Sequence, residues 1–207
     1  MDKIKHAAKV ITRGGLVVFP TDTLYGLGAM TTDKKTVKKV YAIKRRSREK
    51  LLPVIVGGRD QAEKYFIFTS VERALAKKFW PGPLSLVLKT RSKKIATAMG
   101  SSILAVRYPA NSIAAALARH SGVPITATSA NISGQLGYFT IAAIKKQFAL
   151  AEESRQPDAY LNGGALKRSL PSTIVRVRGK KIIVIREGKV SLSKIQKAAA
   201  RKMMVIL

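Results

Sequence analysis

The sequence predicts an α/β fold, a mostly buried sheet with helices on both faces, and three observations point to it. Short runs of Val, Ile and Leu such as LVVF (16 to 19), PVIV (53 to 56) and PITAT (124 to 128) are near-continuously apolar, as strands covered on both faces are. Between them lie segments whose apolar residues recur at helical spacing. Near the C-terminus TIVRVR and KIIVIRE alternate across the turn RGKK, which predicts a β-hairpin added as an antiparallel edge.

Taken in order, Ile4, Ala7, Ala8 and Ile11 share one face of a helix over 3 to 13, which Gly14-Gly15 ends. The strand LVVF follows. Val37, Val40 and Tyr41 mark a helix that begins near Thr32 or Asp33, either of which can cap it. Residues 60 to 80 read as one or two helices, stopped by Pro81-Gly82-Pro83. LSLVL (84 to 88) and ILAVR (103 to 107) are strands joined by a basic, serine-containing connection. Asn111 or Ser112 caps a helix carrying Ile113, Ala116 and Leu117, closed by Gly122. TIAAIKKQF (140 to 148) is a helix, AEESRQP (151 to 157) a flexible loop, and a basic helix begins at about Ser191. At 207 residues with 46% hydrophobic residues and no internal repeat, the chain is read as one domain, 1 to 207, with a sizeable core.

Composition excludes several classes. The absence of Cys rules out disulfide scaffolds and thiolate zinc sites, and His6 and His120 are the only histidines. No apolar run approaches the roughly 20 residues that span a bilayer, and the N-terminus lacks the apolar centre of a secretory signal. An intracellular, cytoplasmic protein without a membrane partner is expected. The 39 Lys and Arg against 11 Asp and Glu give a formal charge of +28, a field that attracts polyanions without saying which. There is no Walker loop, no GxGxxG opening a helix after a strand, and too few acids for a carboxylate cage around two metals.

Six stretches remain as candidate sites. Thr21-Asp22-Thr23 follows a strand end, where open α/β sheets place ligands, though it also reads as a capped turn. Lys44-Arg45-Arg46-Ser47-Arg48-Glu49-Lys50 offers Arg forks and Lys point charges to phosphate, or is a solvated helix end. TSANISGQ (128 to 135) carries small hydroxyl and amide side chains after a strand. Arg107 ends the apolar strand ILAVR, where a charge should meet an anion. Pro171-Ser172-Thr173 and Arg186, at the end of IIVIR, complete the set.

These stretches, together with WPGPLSLVL, LAVRYP, NGG and IIVIREG, run in order from about residue 10 to 188 and resemble the YrdC-type threonylcarbamoyl-AMP synthases. The resemblance implies a YrdC-like twisted mixed sheet with a concave basic pocket. It also implies an enzyme, a nucleotidyltransferase that converts L-threonine, bicarbonate and ATP to L-threonylcarbamoyladenylate and pyrophosphate for tRNA threonylcarbamoyladenosine modification. Carried over residue by residue, Thr21, Arg107, Ala127 and Ser172 would bind threonine. Lys44 and Arg46 would contact phosphate and stabilise charge, with Ser129, Asn131 and Arg186 on the nucleotide. Mg²⁺ would arrive with ATP on few or no protein ligands, with no separate metal site. Partner proteins would transfer the product to tRNA, so weak tRNA or RNA binding suffices here.

The chain departs from the family pattern in places. Ile55 or a neighbour stands where a histidine is common, Ile103 replaces a hydroxyl beside Ser102, QLGYFT weakens the nucleotide contact near Gly137, and PST lacks an acid. The chain ends without the extra C-terminal domain of longer members, which suggests the short form. The rival reading is a noncatalytic RNA-binding or ribosome-associated module. An aromatic content of 6% and no RNP-type motif speak against it. A carbamoyl-transfer domain like that of hydrogenase maturation proteins is a further alternative, lacking here its usual zinc-finger and acylphosphatase segments.

Overall fold

The computed structural model describes residues 2–149, 156–199 and 204–206. Helix α1 (Asp2–Thr12) buries Ala7, Ala8 and Ile11, the face its spacing foretold, and Gly14 leaves it at φ 85°. Strand β1 (Val17–Pro20) turns back through Thr21-Asp22-Thr23-Leu24 into β2 (Tyr25–Gly28), its antiparallel neighbour. The candidate loop at Thr21 is therefore a hairpin tip rather than a strand-to-helix crossover.

Helix α2 (Lys34–Ile43) is capped by Asp33, whose carboxylate accepts from the N–H groups of Lys35 and Thr36 at 3.1 Å. After β3 (Val54–Ile55) come α3 (Arg59–Tyr65), the two-residue strand β4 (Phe66–Ile67) and α4 (Ser70–Phe79). A capping box between Thr69 and Glu72 starts α4, and Pro81 follows Trp80 across a cis bond. The connection between β5 (Leu84–Thr90) and β6 (Ile103–Arg107) folds as α5 (Lys93–Met99), with Ser92 accepting from Ile95 N–H and Gly100 closing the helix in the left-handed region. Asn111 caps α6 (Ser112–His120).

PITAT does not make one strand. It divides at Ala127 into β7 (Ile125–Thr126) and β8 (Thr128–Ser129), which belong to different sheets. Helix α7 (Ile141–Ala149), strand β9 (Ala159–Tyr160), the hairpin β10 (Thr173–Arg178) and β11 (Lys181–Arg186), α8 (Leu192–Ala198) and β12 (Met204–Ile206) complete the order. Most of the expected 151 to 157 loop lies outside the described residues.

The four-stranded sheet has the order β8-β2-β1-β9. The larger mixed sheet runs β12-β11-β10-β5-β6-β3-β7, with β4 paired beside β5. The late hairpin is thus internal and not an edge: β10 lies parallel to β5 and β11 is covered by β12. Coverage on both faces is visible in the core. Val17, Phe19 and Ile55 pack with α1 and α6, while Val18, Val54 and Val56 join the cluster that includes Val37, Leu75, Ile144 and Ile195 from α2, α4, α7 and α8. Successive strand residues point to opposite faces, so a run buried on both sides must be apolar throughout.

Candidate functional site

The walls of the two sheets enclose a cleft of about 450 Å³. Thr21, Thr23 and Ser129 come from the small sheet and its hairpin, Ser85, Arg107, Ile174 and Arg186 from the large one, and Ala127 from the chain that joins them. Beyond Arg46 and Ser129, which line both spaces, a second cavity of about 440 Å³ is bounded by Lys44, Arg45, Ser47, Lys50, Asn131, Ser133, Gly134 and Gln135. Among the described residues no acidic side chain lines either cavity.

The deep wall of the first cleft is a set of charges and hydroxyls that a mostly apolar strand end delivers. Arg107, only 7% exposed, ends β6 and pairs through its NH1 with the Asp22 carboxylate from the hairpin tip. A buried guanidinium needs such a partner, and its remaining donors are free for an anion. Arg186, at the end of β11, donates from Nε and NH2 to the Ser172 carbonyl at 3.0 and 2.8 Å, and from NH2 to Ser172 Oγ at 3.0 Å. Burial, and then the positive Arg107 beside it, hold the Arg186 guanidinium below its ordinary pKa. Two cations forced together in this way favour an anion between them. Ser172 Oγ also meets Ser85 Oγ at 3.0 Å, because the parallel register of β10 and β5 sets Ile174 beside Ser85.

The hairpin tip is tied by its own first residue. Thr21 Oγ1 donates to the Leu24 carbonyl at 2.6 Å and accepts from the N–H groups of Thr23 and Leu24 at 3.1 and 3.2 Å. Its hydroxyl is therefore occupied within the turn, and Thr23 Oγ1, 3.1 Å from it, is the loop's other hydroxyl. Tyr25 extends the same bracing: its OH donates to the Gly164 carbonyl at 2.8 Å and accepts from Gly163 N–H at 2.9 Å, which latches the NGG loop against β2.

The second cavity is built around Lys44. Its ammonium, 1% exposed, donates to the Ser129 carbonyl, to the Asn131 carbonyl at 2.6 Å and to Asn131 Oδ1 at 3.1 Å. Burial, with the Arg46 charge adding to it, pushes this group down to about 7. An ammonium has three donors, so Lys44 acts here as a clamp that joins the end of α2 to the SAN loop. Ser129 Oγ donates to Asn131 Oδ1 at 2.6 Å, and Ser133 N–H bonds the Lys44 carbonyl at 2.8 Å. Ser133 Oγ is buried with no partner, a polar atom aimed for by neither side chain nor backbone. Arg46 is held by the Lys50 and Leu51 carbonyls at 2.8 and 3.2 Å.

Thr21, Lys44, Arg46, Arg107, Ala127, Ser129, Asn131, Ser172 and Arg186, the residues to which the resemblance gives roles, all line these two cavities. Thr23 and Arg45, from the same candidate stretches but without a role of their own there, line them too, and Ser85 joins them unannounced. The signal for Ser85 was a lone hydroxyl inside LSLVL, a strand otherwise apolar up to Lys89.

Residues 9–188 match the family described as Sua5_yciO_yrdC, telomere recombination. A protein of Methanocaldococcus jannaschii is 37% identical over 192 residues, which cover 93% of this chain and 88% of its own length. The threonylcarbamoyl-AMP synthase of Pyrococcus abyssi is 34% identical over 197 residues, 94% of this chain but 56% of that protein, so this chain spans little more than half of it. The solved structure of P. abyssi Sua5 complexed with L-threonine superposes with a TM-score of 0.86 at 33% identity, over 99% of this chain and 59% of that one.

Proposed function

The chain belongs to the Sua5/YciO/YrdC family, and on that premise we propose that it is a threonylcarbamoyl-AMP synthase acting on L-threonine, bicarbonate and ATP. The observation that carries the reading is the meeting of two unlike cavities at Arg46 and Ser129. One offers a guanidinium pair and hydroxyls to an amino acid. The other is lined with cations and small polar groups suited to phosphates. A bound amino acid and a polyphosphate would share a border there.

In the proposed binding mode the threonine carboxylate meets the free donors of Arg107, with Ser172, Ala127 and the Thr21–Thr23 loop around the rest of the molecule. ATP is placed by Arg46, Ser129, Asn131 and Arg186, with Lys44 fixing the loop that carries two of them. The threonine amine, once neutral, adds to the carbon of bicarbonate-derived CO₂ and loses a proton to give a carbamate. A carbamate oxygen then bonds to the α-phosphorus of ATP as the bond to the β-bridging oxygen breaks, and pyrophosphate leaves with that electron pair. No protein nucleophile is required; the site positions two anions and stabilises charge that develops on phosphate oxygens. Any Mg²⁺ would enter on the ATP phosphates as part of the substrate, with water completing its coordination. Delivery of the adenylate to tRNA would fall to a separate transferase, and the formal +28 charge would favour weak contact with RNA in the cytoplasm. No helix among the described residues is long and apolar enough to cross a membrane.

The test is pyrophosphate release from ATP and bicarbonate with and without L-threonine. Release that requires threonine supports the reading; release that ignores threonine, or none at all, overturns it.

A further inference from the structure

The helix-to-loop transition at the basic segment contains an anomaly of backbone conformation. Arg46 N–H bonds the Tyr41 carbonyl at 3.0 Å and Arg45 N–H bonds the Ala42 carbonyl at 3.1 Å, the paired bonds by which a helix ends through one left-handed residue. That residue is Arg45, at φ 47°, and among the described residues no other side-chain-bearing residue has positive φ. Glycine adopts this conformation freely, whereas an L side chain there is crowded against its own carbonyl. At Gly14, Gly100, Gly122, Gly134, Gly164 and Gly179 the chain does use glycine for it.

The side chain that occupies this unfavourable position lines the second cavity, and its guanidinium makes no hydrogen bond or ion pair among the described residues. Its neighbours are differently placed. All three donors of Lys44 are taken by the SAN loop, and Arg46 is turned toward the Lys50 and Leu51 carbonyls. The cavity also holds the partnerless buried hydroxyl of Ser133. Cation capacity at this wall is therefore left to Lys50, whose ammonium also has no partner among the described residues, and to the one arginine whose backbone is strained to carry it.

We propose that Arg45 is a binding residue for the polyphosphate arm of the nucleotide, held by its left-handed backbone at the mouth of the second cavity with Ser133 as a hydroxyl partner below it. The identity of that polyphosphate rests on the nucleotide reading above. When the α-phosphorus faces the carbamate at the shared border of the two cavities, the β- and γ-phosphates extend away from it into the space that Arg45 and Lys50 line. Strained conformations persist where function holds them, and a solvated arginine would have no reason to displace glycine here.

Arg45→Gly separates the two roles, because it removes the cation while relaxing the backbone. Inorganic tripolyphosphate is the probe, titrated calorimetrically into the full chain, with melting temperature measured alongside. Arg45→Gly should weaken tripolyphosphate binding about tenfold, the loss of one charge-assisted contact. It should leave the melting temperature unchanged or higher, and Arg45→Lys should retain most of the affinity. In turnover, the KM for ATP should rise while that for threonine stays within twofold. Tripolyphosphate affinity within twofold of the parent in Arg45→Gly would overturn the proposal. So would a fall in melting temperature that accompanies the loss, since Arg45 would then serve the helix end alone. If the parent protein releases no pyrophosphate in response to threonine, the synthase reading fails, and the tripolyphosphate comparison still decides the role of Arg45.

Discussion

Arg107→Lys isolates the fork geometry of the deep wall from its charge. In the parent, Asp22 takes NH1 of a guanidinium only 7% exposed, and no other protein group bonds it among the described residues, so the cleft receives the remaining donors. A lysine keeps a positive charge near Asp22 but offers a single nitrogen, and a carboxylate that would have been held by two parallel bonds is held by one. A hydrogen bond to a charged group is worth about 1.5–3 kcal/mol net. Each 1.36 kcal/mol is tenfold, so the KM for threonine should rise roughly 10- to 150-fold. The assay is threonine-dependent pyrophosphate release at saturating ATP, with the KM for ATP as the control that should move less than threefold. A threonine KM within twofold of the parent, at unchanged turnover, would show that Arg107 does not hold the carboxylate.

Asp22→Asn leaves the Arg107 cation without its counter-charge. Breaking a buried pair costs about 3–5 kcal/mol, and because Asn still accepts a hydrogen bond the lower figure applies, a fall of about 6 to 12 °C in melting temperature. An unchanged melt would remove Asp22 from the bracing of the site. Lys44 predicts a pH effect: its folded value near 7 lies below the ordinary 10.5, so between those values the unfolded chain binds the extra proton. The penalty for burying the charge is full below pH 7 and lifts as pH rises toward 10.5. Relative to Lys44→Met, the parent should gain stability by at most about 1.4 kcal/mol per pH unit in that window, measured by denaturant midpoints. Parallel curves for the two proteins would contradict it. Gly57→Ala would set a Cβ 2.4 Å from the Arg119 backbone nitrogen and 2.7 Å from the Ala115 carbonyl, so α6 must shift. Overpacking of this kind costs about 1–3 kcal/mol, and the melt should fall by about 2 to 12 °C. A melt within 1 °C would refute the contact.

The elements that were legible in the sequence are those whose signal is local. Asp33 before a helical stripe, Asn111 before another, and the alternation around RGKK each state their structure within a few residues. What was missed depends on partners distant in the chain. YGLG carries two glycines and no β-branched residue, yet forms β2 by pairing with β1, and the glycines make room for the Phe19 ring, which would come within 3.1 and 2.7 Å of Cβ atoms placed on Gly26 and Gly28. KKIATAM reads as connection in the sequence, since its seven residues give too little periodicity for a stripe. The hairpin's own pattern predicts an edge, because its pairing with β12 is set by the fold and not by that pattern. At the site, the residue types with strong chemistry were visible: Arg107 ending an apolar strand, the cations after α2, and Arg186. Which donors are already occupied was not, since Lys44 meets residues 85 and 87 positions away and Ser172 meets Ser85 across 87.

The division of PITAT at Ala127 governs how the cleft can move. Thr126 belongs to the large sheet through Val54 and also bonds the Leu27 and Ala29 carbonyls of the small-sheet side, and two residues later Thr128 is paired with Leu27. A single covalent ribbon is stitched to both jaws at the floor of the cleft. Only Ala127 separates the two pairings, so this joint ties the two sheets together over the shortest span of chain. The open side of the cleft is bordered by stretches with no such tie, 45–51 with Arg46 and Leu51 on one side and 165–171 with Ser169 and Pro171 on the other. A change of side chain size at position 127, where the joint faces the cleft, would therefore alter the space between the walls directly, whereas a change on those borders would alter its mouth.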